Sequence, residues 1–361
     1  MTAFAPRALA TGIGSMPHPN THQAMSVMFQ NFSTLPYWPQ LPKRDFRENM
    51  YVQFSEQLVG IKLDLPQELI SVVIDDDTMA QVEAFYARYL EDNADLFTVG
   101  QDYAAGLYAL RDSRDELKNA QWIIGQITGP ISFGLKVVDQ NLKPMLYDDS
   151  LRDVLVKHLA RKAQWHEEFL SNIAASHPST ALRSAQDVPQ PITFVDEPSL
   201  ALIGASVVAL NRDEVIRDLE EVYSAIRGLK GTHCCGNTDW SLLMATSVDI
   251  ISFDALNYAE NLALFAGDVK KFLDRGGALA WGIVPTVEEE IASATTDSLV
   301  ARLESAMDLL VKKGIDRDLL YERALITPAC GLGTVSIPAA ERAFALTKQV
   351  SEKVRKQPGW S

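Results

Sequence analysis

Cysteine is scarce in this sequence, which has three cysteines among 361 residues. So few cysteines exclude a disulfide framework, and in a reducing compartment thiols are typical of catalytic or metal-binding positions. Long apolar runs are also missing, because no window approaches the roughly 20 residues that a membrane-spanning helix needs. We therefore expect no membrane span.

Basic residues are outnumbered: 33 Lys and Arg stand against 47 Asp and Glu, and the net charge is −14. The basic residues form no tract with interleaved aromatics, which a nucleic-acid-binding surface needs. The opening of the chain lacks the basic start and apolar core of a secretory signal. From these absences we expect a cytoplasmic protein that binds neither nucleic acid nor a membrane.

What the chain does contain is a recurring pattern of an apolar strand followed by an amphipathic helix. Alternating βα units imply parallel strands, and their number favours an α/β fold of the (β/α)8 TIM-barrel type over an open sheet. The predicted strands are apolar or β-branched runs that end at Gly, Pro or a polar cluster: residues 9–17, 121–130, 191–198, 229–236, 249–255, 278–286 and 324–333.

One strand of the predicted barrel has no clear sequence signal. We assign the second strand to DLFTVG, residues 95–100, and predict a helical insertion over residues 31–95, after the first strand. No linker or charge block marks a domain boundary. The expected organisation is a single catalytic TIM-barrel domain over residues 1–361.

Polar side chains follow several predicted strands, and they include all three cysteines. In a TIM barrel the strand ends meet at one mouth, where active sites lie, so we expect these side chains on a common rim. They are Ser15, Asp196, Glu197, His233, Cys234, Cys235, Asp254 and Cys330.

His233 and Cys235 are two residues apart in a predicted strand, so their side chains point to the same side while Cys234 faces away. Asp254 ends the next predicted strand, and Cys330 ends the last. An imidazole, two thiolates and a carboxylate form a four-ligand set that suits zinc. The alternatives are that each cysteine is a core residue and that Asp254 caps the following helix.

The chain contains five motifs in the order GIGSMP, ENMYVQFSEQLVG, FVDEP, HCCG and TPACGLGT. Together they resemble the C-terminal catalytic barrel of cobalamin-independent methionine synthase. That family belongs to the superfamily of uroporphyrinogen decarboxylase and the corrinoid-dependent methyltransferases. The resemblance covers essentially the whole chain, as a short, single-barrel type. It implies a zinc-dependent thiol S-methyltransferase that converts homocysteine to methionine.

The resemblance implies that His233, Cys235 and Cys330 are catalytic zinc ligands. The acidic ligand falls on Asp254, where the family usually has Glu. A side chain one methylene shorter reaches less far, so a water is the alternative fourth ligand.

The resemblance also implies that Ile13, Ser15 and Asp196 bind the amino-acid part of homocysteine. A further acidic contact of the family, upstream of ENMYVQFSEQLVG, has no clear counterpart in this sequence. The substrate site is therefore expected to differ from the family pattern at one position.

Two departures bear on the methyl donor. The full-length folate enzymes have an additional N-terminal barrel, and they place a proton-donating His after the seventh strand, where this chain reads WGIVPT, residues 281–286. A folate leaving group has to be protonated, whereas cobalt is a leaving group that needs no proton. These departures therefore favour a methylcorrinoid, or a corrinoid protein, as methyl donor.

Three alternatives stay open at this stage. The first is the same chemistry with another thiol, such as coenzyme M. The second is a decarboxylase of the uroporphyrinogen type, although the sequence has no Arg-rich N-terminal motif for its substrate carboxylates. The third is a non-catalytic zinc barrel that senses methyl or thiol groups.

Overall fold

The structure is a computed structural model that describes residues 4–175, 188–203 and 210–356. Each of the seven predicted strand runs contains a strand, which confirms that part of the sequence prediction. The strands are β1 (Leu9–Ala10), β2 (Ile61–Asp64), β3 (Leu69–Val72), β4 (Trp122–Thr128), β5 (Gln190–Asp196), β6 (Leu229–Cys234), β7 (Ile250–Asp254), β8 (Ala278–Val284) and β9 (Ala324–Pro328).

Seven of these strands form one parallel sheet in the order β1-β9-β8-β7-β6-β5-β4. Every residue of β7, β8 and β9 is buried, as expected where helices cover the outer face and side chains fill the inner one. Chain order and sheet order run together from β4 to β9, with β1 beside β9. The sheet is therefore curled and TIM-barrel-like.

The described residues contain no regular eighth strand that closes this sheet. Residues 34–40, here called the bridging segment, contact both of its edges instead. Ile124 of β4 donates its N–H to the carbonyl of Pro36 at 2.8 Å, and Gln40 donates to the carbonyl of Gly14, beyond β1, at 3.0 Å. The predicted closed barrel of eight regular strands is corrected to this half-barrel sheet with an irregular connection.

Proline explains why the bridging segment forms isolated bridges and no ladder. Pro36 and Pro39 have no N–H to donate, so a continuous pairing with β4 is interrupted. The assignment of the second strand to residues 95–100 is wrong. That stretch begins within a 3-10 helix, Ala94–Phe97, whose first turn is capped by Asn93.

The predicted helical insertion over residues 31–95 is only partly helical, since it contains the antiparallel hairpin of β2 and β3. Ile61 pairs with Val72, and the amide of Val72 donates to the carbonyl of Val138 at 3.0 Å. The alternating burial of β2 is the period-two pattern of a strand with one covered face. The prediction missed this alternation because it spans only four residues.

Several helices begin at a residue whose side chain caps the first turn. Asn211 and Glu214 form a capping box at one of them, and Asp254 caps another. None of the described helices combines the length and apolar character needed to cross a membrane. They are α1 (Thr21–Phe32), α2 (Met50–Gln53), α3 (Thr78–Leu90), α4 (Ala105–Asp112), α5 (Pro130–Lys136), α6 (Asp149–Ala175), α7 (Arg212–Ser224), α8 (Trp240–Met244), α9 (Ala255–Ala263), α10 (Ala266–Asp274), α11 (Glu288–Ser293), α12 (Thr296–Val311), α13 (Arg317–Glu322) and α14 (Ile337–Arg355).

The long helix α6 connects the bridging segment to the sheet. Its His166 packs against Gly125 of β4, where an added Cβ would lie 1.8 Å from the imidazole, so only glycine fits. Trp38 donates its indole N–H to Nε2 of His166 at 2.8 Å. Burial lowers the pKa of His166 to about 3, so the ring is neutral and accepts this hydrogen bond.

Candidate metal and substrate site

Three potential metal ligands converge at the carboxyl ends of the strands. His233 lies in β6, Cys235 directly follows β6, and Cys330 lies two residues after β9. One ligand atom from each residue lies within 4.8 Å of the other two. Since β7 and β8 separate β6 from β9 in the sheet, the curl of the sheet is what brings Cys330 to the other two.

The imidazole of His233 tests whether this cluster fits a metal ion. Nδ1 lies 2.9 Å from Oγ of Ser252, while the buried Nε2 has no hydrogen-bond partner of acceptable geometry among the described residues. Burying a polar atom without a partner costs about 1–3 kcal/mol. A neutral imidazole with its proton on Nδ1 presents Nε2 as a lone pair for a cation. The residues present therefore fit a metal ion, and their types are those of zinc sites.

The two nearby thiols have very different acidities. Hydrogen bonding from Cys330, together with the neighbouring His233, lowers the pKa of Cys235 well below its usual range. The hydrogen bond to Cys235, together with burial, raises the pKa of Cys330. The pair therefore holds one proton between two sulfurs, and a divalent cation would favour both as thiolates.

Cys234 lies outside the cluster. Its side chain is buried, and its thiol donates weakly to the carbonyl of Gly236, with Sγ 3.6 Å from the oxygen. Burial raises its pKa to about 12, so it stays protonated. This placement agrees with the alternation expected along a strand.

Asp254 ends β7 and also lies outside the cluster of three ligand atoms. Its Oδ1 accepts the backbone N–H of Asn257 at 3.1 Å, and its Oδ2 accepts the Asn257 side-chain amide at 2.7 Å. Both oxygens therefore serve the first turn of α9, which is the capping alternative that the sequence left open. A role as fourth ligand stays a prediction.

A cavity of about 340 Å³ opens beside the three metal-ligand candidates. Asp196 pairs with His233 in the parallel register of β5 and β6, which places its carboxylate beside the imidazole. Burial raises the pKa of Asp196 to about 6, against the opposing effect of His233. Three predicted substrate contacts and the three ligand candidates line this one cavity: Ile13, Ser15, Asp196, His233, Cys235 and Cys330.

Glu197, predicted on the rim, is fully buried beneath it. Its carboxylate accepts the backbone N–H of Ile131 at 2.9 Å, and both the N–H and the hydroxyl of Ser132 at 2.7 and 2.6 Å. Its own backbone N–H donates to the carbonyl of His233 at 2.8 Å. Glu197 therefore ties the ends of β4, β5 and β6 together below the cavity.

Among the residues of the site that sequence reasoning missed are Ser252 and Gln40. Ser252, which bonds His233, carries a weak signal, since it is a polar residue in an otherwise apolar strand followed by Asp. The sequence has no signal for Gln40, which lines the cavity, because this residue reaches the site through the irregular bridging segment.

Comparison with known proteins gives a structural match alone. No family model matches the chain, and no curated protein matches it. A solved structure of a B12-independent methionine synthase from Shewanella sp. W3-18-1, in complex with selenomethionine, superposes with a TM-score of 0.59 at 15% identity. The match covers 97% of this chain and 98% of that one.

This likeness establishes the fold class, and it agrees with the family resemblance of the sequence motifs. The chain shares the overall fold of that structure and has a group of one imidazole and two thiols at its strand ends.

Proposed function

We propose that this chain is a zinc-dependent thiol S-methyltransferase that converts homocysteine to methionine and takes the methyl group from a methylcorrinoid. The observation that carries the proposal is the convergence of His233, Cys235 and Cys330 on a cavity that Asp196 also lines. The fold of the structural neighbour, a methionine synthase by its printed name, supports methyl transfer as the reaction class.

His233, Cys235 and Cys330 would hold the zinc ion, with Asp254 or a water as the fourth ligand. When bound, zinc supplies the positive charge that keeps a substrate sulfur deprotonated at neutral pH. The protein's own part is positioning. The carboxylate of Asp196 accepts hydrogen bonds from the substrate ammonium group. Ile13 and Ser15 hold the amino-acid end of the substrate in the cavity, so that the substrate sulfur is aligned with the methyl group.

The choice of donor rests on what the cavity lacks. His233 is the sole histidine among the described residues that line the cavity, and residues 281–286, WGIVPT, contain no histidine. Transfer from a methylcorrinoid forms a sulfur–carbon bond and breaks the cobalt–carbon bond, whose electron pair stays on cobalt. No proton has to reach the leaving group. The printed name of the structural neighbour calls that protein B12-independent, so the donor is the first point to test.

A corrinoid is large and would approach the cavity from outside. We expect it to dock on the rim loops that follow FVDEP, HCCG and CGLG, because these loops surround the strand ends that carry the site. Part of the loop after FVDEP, residues 204–209, lies outside the described residues.

Decarboxylation of a uroporphyrinogen-type substrate fits this cavity poorly. That substrate carries many carboxylates, and Lys43 is the sole Lys or Arg among the described residues that line the cavity. An anionic thiol such as coenzyme M has the same difficulty, because its sulfonate would meet Asp196.

The test is a methyl-transfer assay with zinc-loaded protein, homocysteine, and either methylcobalamin or methyl-tetrahydrofolate, with methionine measured by mass spectrometry. We expect methionine from methylcobalamin, lost on zinc removal and in Cys235→Ser, and retained in Cys234→Ser. Methionine from methyl-tetrahydrofolate with none from methylcobalamin would overturn the donor assignment. Stoichiometric zinc without methylation of any thiol would favour the sensing alternative.

A further inference from the structure

Exposed apolar side chains concentrate at one place on the surface, at the β2–β3 hairpin and the turn beside it. Within the described ranges nine large apolar side chains are exposed, and five of them lie in residues 65–79 or in the turn at residues 139–143. Single exposed apolar residues are ordinary, whereas a group of them is typical of an interaction site. We call the surface of residues 61–79 and 138–144 the hairpin face. Its exposed apolar residues are Leu65, Leu69, Ile74, Met79 and Leu142.

Hydrogen bonds join the hairpin and the turn into one surface. The N–H of Val72 in β3 donates to the carbonyl of Val138 at 3.0 Å, so residue 138 continues the hairpin beyond its second strand. The side chain of Gln140 accepts the N–H of Ile74 at 3.2 Å and donates to the carbonyl of Ile74 at 2.9 Å. The apolar residues of both segments therefore belong to one continuous surface.

Leu142 differs from its neighbours because it is 80% exposed and its backbone has a positive φ of 62°. Gly adopts this left-handed region readily and Asn tolerates it, whereas a bulky residue is strained there. Oδ1 of Asp139 holds the turn by accepting the N–H groups of Asn141 at 2.7 Å and of Lys143 at 2.9 Å. Because Gly or Asn would form this turn with less strain, the leucine does not serve folding. An apolar anchor for a partner is the role that its exposure fits.

The hairpin face lies towards the mouth of the sheet. Helix α5 begins directly after the carboxyl end of β4, and the turn with Leu142 follows α5. Helix α6 then returns the chain to the amino end of β5, which is parallel to β4, so the residues between α5 and α6 belong to the mouth half of the molecule. Asn49 and Met50, which line the cavity, lie a short way before β2 in the chain. A protein that delivers a group to the cavity can therefore contact this face.

The charge of the hairpin face indicates which kind of partner fits it. Residues 61–79 hold five acidic residues and one lysine, and the acidic residues include the consecutive, exposed Asp75, Asp76 and Asp77. This negative charge repels anionic lipid headgroups, nucleic acid and a second copy of the same face. It attracts a protein whose apolar contact is surrounded by Lys and Arg, and such attraction speeds the encounter of transient partners.

We propose that the hairpin face docks the protein that carries the methylcorrinoid, with Leu142 as the apolar anchor and residues 75–77 as the electrostatic contact. The inference rests on the proposed function and deepens it. It makes the donor a protein-bound corrinoid and gives the carrier a binding surface outside the cavity. The corrinoid itself faces the rim loops, while the polypeptide of the carrier contacts the hairpin face.

Photo-crosslinking identifies the occupant of the face. In one variant p-benzoylphenylalanine replaces Leu142, and in the matched control it replaces Leu264, which is 77% exposed between α9 and α10. Both are expressed in the source organism and irradiated, and the captured proteins are identified by mass spectrometry and tested for bound corrinoid. We expect position 142, and not position 264, to capture a corrinoid protein. Capture of a second copy of this chain, of any macromolecule without a corrinoid, or of nothing at position 142 would overturn the proposal.

Kinetics with the captured carrier tests the anchor. Leu142→Asn removes the apolar side chain, and because Asn tolerates a positive φ, thermal unfolding should show this variant to be at least as stable as the wild type. Its KM for the methylated carrier should rise at least about tenfold through the loss of a buried apolar contact, while its kcat/KM with free methylcobalamin stays unchanged. Leu264→Asn is the control and should change neither. An unchanged KM for the carrier, or a loss of stability in Leu142→Asn, would show that the leucine serves the fold.

The acidic residues of the face predict a dependence on salt. In the wild type the KM for the carrier should rise with salt, because screening weakens the attraction between exposed charges. Combined Asp75→Asn, Asp76→Asn and Asp77→Asn should raise this KM at low salt and flatten its dependence on salt. Parallel salt profiles for the two proteins would contradict the proposal.

The outcomes also separate this inference from the proposed function. Methionine from free methylcobalamin, with no corrinoid protein captured at position 142, removes the docking surface and leaves methyl transfer standing. A corrinoid protein captured at position 142, with no methylation of homocysteine from either donor, removes the proposed function and leaves the docking surface standing. In that case calorimetric binding of the carrier takes the place of KM in the comparison of wild type with Leu142→Asn.

Discussion

Ser252 and His233 lie opposite each other in the parallel register of β6 and β7, and the serine Oγ is 2.9 Å from Nδ1 of the imidazole. When the imidazole proton is on Nδ1, that N–H donates to the hydroxyl and the contact orients the plane of the ring. Nε2, which has no hydrogen-bond partner of acceptable geometry among the described residues, is then presented as a lone pair.

The first prediction concerns this serine. Ser252→Ala removes the group that orients His233, and loss of such an outer partner typically lowers metal affinity about 10–100-fold. Competition with a chromophoric chelator measures the zinc dissociation constant. Ser351→Ala, in which a buried serine loses its bond to the Ala8 carbonyl away from the site, is the control and should leave the constant unchanged. Equal zinc affinity in wild type and Ser252→Ala would contradict the prediction.

The second prediction separates the adjacent cysteines. We expect about one zinc per chain, lost in Cys235→Ser and in Cys330→Ser because each variant removes one of the three converging ligand atoms. Cys234→Ser should keep the metal, since Cys234 is buried away from the cluster. Elemental analysis of purified protein provides the measurement. If Cys234→Ser lost zinc and Cys235→Ser kept it, the assignment of which cysteine points to the same side as His233 would be wrong.

The third prediction concerns Asp196, the carboxylate that we propose binds the ammonium group of the substrate. Asp196→Asn removes the negative partner of the ammonium group, and hydrogen bonds to charged groups contribute roughly 1.5–3 kcal/mol, so homocysteine affinity should fall about tenfold to a hundredfold. Zinc content should change little, because Asp196 is not one of the three converging residues. Steady-state KM and calorimetric binding measure the effect, and an unchanged affinity would remove Asp196 from the substrate site.

The fourth prediction concerns pH and stability. Lys162 on α6 is fully buried and donates to the carbonyl of Thr98 at 2.6 Å, and burial lowers its pKa to about 7. An unfolded lysine titrates near pH 10.4, so between these values the unfolded chain holds the proton that the folded chain lacks. The free energy of unfolding should therefore rise with pH from about 7 to 10 through this group.

Lys162→Met should make that rise shallower. Urea unfolding at pH 7, 8 and 9, with zinc removed by a chelator, gives the three free energies. Lys157→Met is the control, because Lys157 pairs with Asp153 and its pKa is raised, so it stays protonated in both states over this range. Parallel pH profiles for wild type and Lys162→Met would show that Lys162 is charged in the folded protein.

The parts of the structure that could be predicted from the sequence depend on short-range regularity. Seven strands were predictable because each is an apolar run ended by Gly, Pro or a polar cluster. The convergence of His233, Cys235 and Cys330 followed from strand parity and from the rule that strand ends meet at one mouth.

The missed features depend on contacts between residues far apart in the chain. The bridging segment has the position of a strand, but its prolines remove the alternating pattern that identifies one. Glu197 was placed on the rim because it follows a strand end, yet it is buried there and three donors from the start of α5 compensate its burial. Gln40 and Gln53 are 13 residues apart, and no sequence periodicity indicates that their amides meet.

The irregular connection between the sheet edges separates two properties of the site. The metal-ligand candidates lie in β6 or directly after β6 and β9, within the parallel sheet, whereas Gln40 lies in a segment that joins the sheet by isolated bridges and single hydrogen bonds. Substitutions in that segment can change the lining of the cavity without shifting the sulfur and nitrogen atoms of His233, Cys235 and Cys330. The part of the cavity that Gln40 lines is therefore able to diverge while the three metal-ligand candidates keep their places.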